Sequence, residues 1–291
     1  MVNPSCVDDD KISIVIPTLG GIEIERTIDS INSGTLKPDE ILICLPNNES
    51  GKFNISQHGN VKVISTKSRG QVIQRVIGFS KVKNEIVIQI DDDMILENDC
   101  IEKLYSSLKT HGPLTSVSPA FYDLNTSESV YKKVTCRKKW VEKLYYYLIN
   151  GQSGYKMGAV DLTGSPIGVD PEHTKVIDYA VEWLPGGCVM HYKKNLVLDD
   201  YFPLSGKAYC EDLIHSYLLT KKNISLYINT SAKCFIENEK YTELNVFGFI
   251  NMLKVEYRAR KYYLGLKNEE SIIIFIFYLF MIVNFVIKKL R

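Results

Sequence analysis

Along the first hundred residues, short apolar runs alternate with segments whose apolar positions recur at helical spacing. Ile12-Ser-Ile-Val-Ile16 is a β-branched run stopped by Pro17. Ile24, Ile28 and Ile31 follow at i, i+4 and i+7, a helical stripe that ends near Gly34. Ile41–Leu45 is the second run, stopped by Pro46-Asn47-Asn48, and Val61–Ile64 is the third. Val72, Ile73, Val76 and Ile77 make another helical stripe before the fourth run, Ile86–Ile90. Continuous apolar strands interleaved with helices predict an α/β fold, with a parallel sheet covered on both faces. Ligands of such sheets bind beyond the carboxyl ends of the strands. Candidate chemistry is therefore expected just after residues 16, 45, 64 and 90.

The fourth run leads directly into Asp91-Asp92-Asp93. Three adjacent carboxylates repel one another, and a hard divalent cation offsets that repulsion. A polar turn also favours Asp, so both readings stand on the triplet alone. After the third run come Ser68-Arg69-Gly70-Gln71 and then Arg75 and Gly78. Gln71, Arg75 and Gly78 fall at i, i+4 and i+7, opposite the Val72/Val76 stripe, which predicts a polar face at the mouth of the sheet. Arg suits bidentate phosphate recognition, although Arg69 and Arg75 equally suit the solvated side of a helix.

The second half is richer in Gly and aromatic residues. Trp183-Leu-Pro-Gly-Gly-Cys-Val-Met190 reads as a turn followed by an apolar run. Gly186-Gly187 suits a close backbone approach or a plain tight turn. Cys210-Glu211-Asp212-Leu213 opens a helical pattern continued by Ile214, Tyr217 and Leu218. Acids in a first helical turn are favoured by the helix dipole, and one of these two also suits a general base.

Composition narrows the classes without choosing among them. The chain has 291 residues, 45% hydrophobic and 24% charged, which suits a globular protein with a sizeable core. The net charge of +1 supplies no field for nucleic acid. Seven cysteines without a C-x-x-C pair predict reduced thiols, not a disulfide framework or zinc site. The polar, acidic start MVNPSCVDDDK lacks the apolar core of a secretory signal.

Taken together, SIVIPTLGG (13–21), SRGQVIQRVIGF (68–79), IDDDMIL (90–96), EWLPGGCVM (182–190) and YCEDLIHSYLL (209–219) resemble a family 2 glycosyltransferase of the kind found in bacterial surface-polysaccharide assembly. The resemblance implies a GT-A fold, with a Rossmann-like, mostly parallel central sheet and helices on both faces. It implies inverting transfer of a sugar from a nucleotide-diphosphate sugar to a saccharide hydroxyl, with Mg²⁺ or Mn²⁺ bound. Pro17, Thr18, Arg69, Gln71, Arg75, Asp91, Asp92, Gly186 and Gly187 then fall at nucleotide-sugar positions. Asp91 and Asp93 match the metal-binding ends of a D-x-D motif. Asp212 matches the catalytic base, with Glu211 beside it. Arg258-Ala-Arg260-Lys261-Tyr262-Tyr263 resembles a basic, aromatic stretch of polysaccharide-assembly members. Two positions depart from the family pattern. Asn47 and Asn48 stand where an acid commonly holds the base, with Glu49 later. No His follows the E-D helix, where Glu237 is the nearest substitute.

The chain is expected to divide into a nucleotide-sugar half (1–120), an acceptor and catalytic-base half (121–250) and a membrane-associating segment (251–291). Ser271–Ile287 carries no charge, and as a helix it would span about 26 Å, just short of a ~30 Å hydrocarbon core. From Lys254 to Arg291 eight Lys/Arg face three Glu, a net of +5. Basic and aromatic residues beside an apolar helix predict a peripheral or shallowly inserted protein at the cytoplasmic face, where a lipid-linked saccharide acceptor would reside. A terminal helix buried in the core or in a dimer is the plain alternative. Two rival functions are a nucleotidyltransferase acting on sugar phosphates and an inactive, membrane-tethered binding module.

Overall fold

A computed structural model of the chain describes residues 10–49, 51, 53–55, 58–132, 140–151, 154–204, 208–237, 246–269 and 272–289. The four apolar runs form β1 (Ile12–Pro17), β2 (Glu40–Pro46), β3 (Val61–Thr66) and β4 (Ile86–Ile90). These strands pair in parallel in the spatial order β3-β2-β1-β4. Their carboxyl ends therefore lie side by side along one edge of the sheet. The first helical stripe is α1 (Glu23–Asn32), which buries Ile24, Ile28 and Ile31 completely. It packs with Ile14 and Ile16 on one face of the sheet, together with Leu104 and Leu108 of α3 (Cys100–His111). Val15, Leu42 and Val87 point to the opposite face, where Phe79 covers them. Both faces of β1, β2 and β4 are thus covered, whereas β3, at the sheet edge, leaves Lys62 and Val63 exposed.

The second half joins the same sheet with mixed directions. β5 (Met94–Leu96), β6 (Thr115–Asp123), β7 (Asp178–Ala180), β8 (Cys188–Tyr192) and β9 (Ser225–Ile236) complete it. β8 enters antiparallel between β4 and β6, and β6 pairs in parallel with β9. One sheet therefore crosses residue 120, because β6 runs through that position and β8 borders both halves. The remaining helices are α4 (Trp140–Asn150), α5 (Glu211–Lys221), α6 (Val246–Lys267) and α7 (Ile273–Lys289).

The helix α2 (Gln71–Phe79) departs from the expected amphipathic reading. Its buried residues are Val72, Gln74, Arg75, Gly78 and Phe79, while Ile73, Val76 and Ile77 remain half-exposed. The supposed polar face is the one laid on the sheet. Gly78 explains the close fit, since a Cβ there would sit against Val15 and only 2.7 Å from Cys44 Sγ.

α6 and α7 form an antiparallel pair. Phe249 stacks on Phe285 at 3.9 Å, and Tyr257 meets Tyr278 edge-on at 5.5 Å. Among the described residues no helix is long and apolar enough to cross a membrane. The pair is fixed to the body through a cluster in which Trp183, Leu213 and Ile214 meet Leu253, Tyr263, Leu264 and Ile274. Arg260 adds a polar anchor, bonding Glu256 and Ser165 while its guanidinium lies 4.4 Å from the Phe277 ring centroid. The five described cysteines, Cys44, Cys100, Cys188, Cys210 and Cys234, are free, whereas Cys6 and Cys136 lie outside the described residues.

Candidate active site

A cleft of about 720 Å³ opens at the carboxyl ends of the parallel strands. Pro17, Thr18, Arg69, Gln71, Asp91, Asp92 and Asp93 all line it, brought together from three strand ends and the start of α2. This is where a parallel sheet places its ligands. Leu19, Gly21, Gln74 and Ala208 line it too, and sequence reasoning had not singled them out.

The aspartate triplet is the turn that joins β4 to β5, so the turn reading holds as geometry while its carboxylates do different things. Asp92 accepts from the Thr18 hydroxyl, and its backbone carbonyl accepts from Thr27 Oγ1 at 2.8 Å. The middle carboxylate therefore pins the end of β1 against the turn. Asp91 Oδ1 accepts from Gln71 Nε2 at 2.8 Å and from Arg75 Nη2 at 3.1 Å. Burial pushes its carboxyl up to about 6 despite Arg75, and the Glu211 and Asp93 charges push the same way. Asp93 is exposed on the cleft side of the turn.

Arg75 corrects an expectation. It does not line the cleft, and it does not solvate a helix either. The side chain is 2% exposed and reaches under the cleft, where Nη1 donates to Glu211 Oε1 at 2.6 Å and Nη2 to Asp91. A buried guanidinium needs anions on its fork, and these come from two distant segments. Tyr201 also donates to Glu211 Oε1. Glu211, 4% exposed, is therefore engaged by a cation and a phenol. Behind this group lie His191 and His215, held well below the usual imidazole range by burial and, secondarily, by neighbouring positive charge.

Asp212 is placed differently from its neighbour. Its Oδ1 accepts only the Leu213 N–H at 2.9 Å, a local bond in the first turn of α5. No cation contacts it among the described residues. Burial first, then the Glu211 charge, push its carboxyl up to about 7. Of the two acids in this turn, Glu211 is tied to Arg75 and Asp212 keeps a free oxygen.

Gly186 and Gly187 lie behind the cleft rather than on its wall, which corrects their expected place. They form a tight turn and also a close approach. A Cβ on Gly186 would lie 3.1 Å from Glu211 Oε2 and 3.5 Å from Asp212 Cβ. The Gly187 carbonyl accepts the Asp91 N–H at 2.9 Å, and that of Gly186 accepts from Gln89 Nε2 at 2.9 Å. The pair thus joins the aspartate turn to the head of α5.

Gln74 was missed because it carries no charge and sits among apolar neighbours. Its Nε2 donates to the carbonyls of Thr18 and Cys44, at 2.8 and 2.6 Å, tying α2 to the ends of β1 and β2. At the rim, Arg69 pairs with Glu49 at 3.3 Å, so the late acid after β2 does reach the cleft mouth. Glu237 is exposed and sits 3.9 Å from Arg26.

Among the described residues no group of three or more His, Cys, Asp or Glu is placed to hold a metal ion. Two carboxylates on one turn, facing an open cleft, nonetheless fit Mg²⁺ or Mn²⁺. Mg²⁺ commonly takes one or two carboxylates and completes its shell with water and substrate phosphates. The mutual repulsion of Asp91, Asp93 and Glu211 is the local charge such an ion would relieve.

The sequence model of glycosyl transferase family 2 matches residues 13–170, more than half of the chain. The chain belongs to glycosyl transferase family 2. No curated protein matches this chain in sequence. The crystal structure of GalNAc-T7 with UDP, GalNAc and Mn²⁺ is similar to 86% of the chain at 17% identity, with a TM-score of 0.56. The chain spans half of that GalNAc-T7 chain. S. aureus TarS is similar to 78% of the chain at 12% identity and a TM-score of 0.48, over 37% of its own length. The fold is GT-A, and sugar transfer is the chemistry of the family. In the loop after β1 the Gly20 N–H donates to Thr18 Oγ1 at 2.9 Å.

Proposed function

We propose that this transferase moves a sugar, with inversion, from a nucleotide-diphosphate sugar to a hydroxyl of a lipid-linked saccharide acceptor in cell-surface polysaccharide synthesis. The observation that carries the reading is the division of labour between Glu211 and Asp212. Arg75 joins Asp91 of the cleft to Glu211 at the head of α5, and Asp212, the next residue, keeps an oxygen to act as base.

In a single displacement the acceptor oxygen attacks the anomeric carbon and passes its proton to the Asp212 carboxylate. The bond from the anomeric carbon to the diphosphate oxygen breaks, and its electron pair leaves with the nucleoside diphosphate. One displacement inverts the anomeric centre. A base whose carboxyl titrates near 7 is matched to proton transfer at neutral pH and contributes roughly 10²–10⁴-fold. Pro17, Thr18 and Gln71 would hold the nucleotide end, with Arg69 at the rim for phosphate or base. Mg²⁺ or Mn²⁺ on Asp91 and Asp93 would supply positive charge to the departing diphosphate, usually a large electrostatic contribution. The basic, aromatic stretch Arg258–Tyr263 supports the polysaccharide setting, because it resembles that of assembly members.

Asp212→Asn should lower turnover at least ~10²-fold while donor affinity is nearly unchanged. Asp93→Asn, or excess EDTA on the wild type, should abolish nucleoside diphosphate release without unfolding the protein. Wild-type turnover in either variant, measured over a panel of nucleotide-sugars with Mn²⁺, would sink the reading.

A further inference from the structure

α7 packs only one of its sides. Tyr278 and Ile274 are buried against α6, whereas Phe275, Ile276, Leu279, Ile282, Val283 and Val286 are between 43% and 62% exposed. Six large apolar residues along one short helix are an interaction surface, not ordinary surface scatter. Between the two helices runs an open groove of about 620 Å³, bordered by apolar side chains from Val246 to Val286 and by Lys254.

The basic residues lie on the same side. Lys254, Arg258 and Lys261 stand at i, i+4 and i+7 of α6, and all three are exposed. Lys254 and Tyr257 border the groove, and Tyr257 also borders a shallow cup with Arg258, Lys261 and Tyr262. None of the three cations makes an ion pair among the described residues. The acid nearest them on α6, Glu256, is bound to Arg260. An apolar groove with a cationic and tyrosine margin matches the layering of a lipid interface, where alkyl chains, headgroup and anionic charge follow in order. A second copy of the chain would set this cationic stripe against itself, whereas an anionic leaflet complements it.

We infer that the α6–α7 hairpin is a monotopic membrane-docking surface that lays its groove and outer α7 face into an anionic lipid leaflet. It lies in the interface rather than crossing it. At 17 residues α7 reaches about 26 Å, less than the ~30 Å hydrocarbon core. The hairpin also orients the enzyme. The cluster that fixes it to the body contains Leu213 and Ile214, the residues that follow Asp212, and Trp183, which precedes the Gly186-Gly187 turn. Docking therefore sets the catalytic helix one packing layer from the lipid surface.

The test is sedimentation of the full chain with sucrose-loaded vesicles, phosphatidylcholine alone or with a quarter phosphatidylglycerol. Binding should favour the anionic vesicles and weaken with salt. Combined Lys254→Glu, Arg258→Glu and Lys261→Glu should reduce it at least ~10-fold, and so should Phe275→Glu with Ile282→Glu. Far-UV circular dichroism and a thermal melt of each variant confirm that the fold persists. Failure of the wild type to bind anionic vesicles, or undiminished binding by both variants, overturns the inference. So does a lipid-free dimer that Phe275→Glu with Ile282→Glu dissociates, if vesicles do not bind. Sugar transfer plays no part in these readouts, so their outcome is independent of the catalytic proposal.

Discussion

The parallel half of the sheet and the α6–α7 hairpin are similarly apolar and deploy that character in opposite directions. In β1, β2 and β4 almost every side chain is covered, and the polar groups of the cleft come just after the strands, at their carboxyl ends. In the hairpin a narrow stripe is covered and large apolar side chains face outward. The difference shows that apolar content alone does not define a core. A strand run flanked by helical stripes carries its own cover within the sequence. A uniformly apolar helix does not, and its second face must find cover elsewhere.

The cleft half is where a single change should cost most. Arg75→Met removes the cation shared by Asp91 and Glu211 and leaves the buried Glu211 carboxylate without its cation. Breaking a buried pair by deleting one partner costs about 3–5 kcal/mol. Urea unfolding should show that loss as a lower midpoint with an unchanged slope. A loss below ~1 kcal/mol would mean that Arg75 is not the strut between the two halves of the site.

This strut is also the place where sequence reasoning failed on the site. The four strands and α1 were legible because short, mostly β-branched runs alternate with helical stripes, and Ile24, Ile28 and Ile31 mark a single face. The triplet after Ile90 was legible because its place at a strand end is itself the signal. The orientation of α2 was not. Its β-branched residues suggest one buried face, yet burial of Arg75 is decided by carboxylates 16 and 136 residues away. The separation of Glu211 from Asp212 was likewise invisible, since both stand in one helical turn and only Tyr201 and Arg75 distinguish them. The mixed pairing of β6, β8 and β9 depends on long-range partners that no local period reveals.

A smaller effect should come from Asp212, and its sign is opposite to that of Arg75. Folding raises this carboxyl from an ordinary 3.8 to about 7. The folded state therefore prefers the protonated form, and the benefit present below pH ~4 is lost as pH rises through about 7. Asp212→Asn cannot ionise. Without donor or metal it should match the wild type near pH 4 and exceed it at pH 8 by at least ~1 kcal/mol, while being catalytically crippled. Melts across this pH range decide the matter. A variant less stable than wild type at pH 8 would assign Asp212 to the helix dipole rather than to base chemistry.

The smallest expected effect tests the hairpin against the sheet most sharply. Leu279 is 62% exposed on the outer side of α7. If its surroundings in solution are water, Leu279→Lys replaces one exposed side chain with another of good helix propensity, and stability should change by no more than ~0.5 kcal/mol. The same chemical change inside β4 would bury an unpaired charge among fully covered neighbours. A near-zero change in chemical denaturation therefore identifies the outer face as one that the chain's own fold leaves uncovered. A loss of 2 kcal/mol or more would show that protein covers Leu279 in solution, and the contrast between the two regions would collapse. Detergent titration sharpens the result. Micelles should raise the melting temperature of the wild type more than that of Leu279→Lys, because only the apolar stripe gains by being covered.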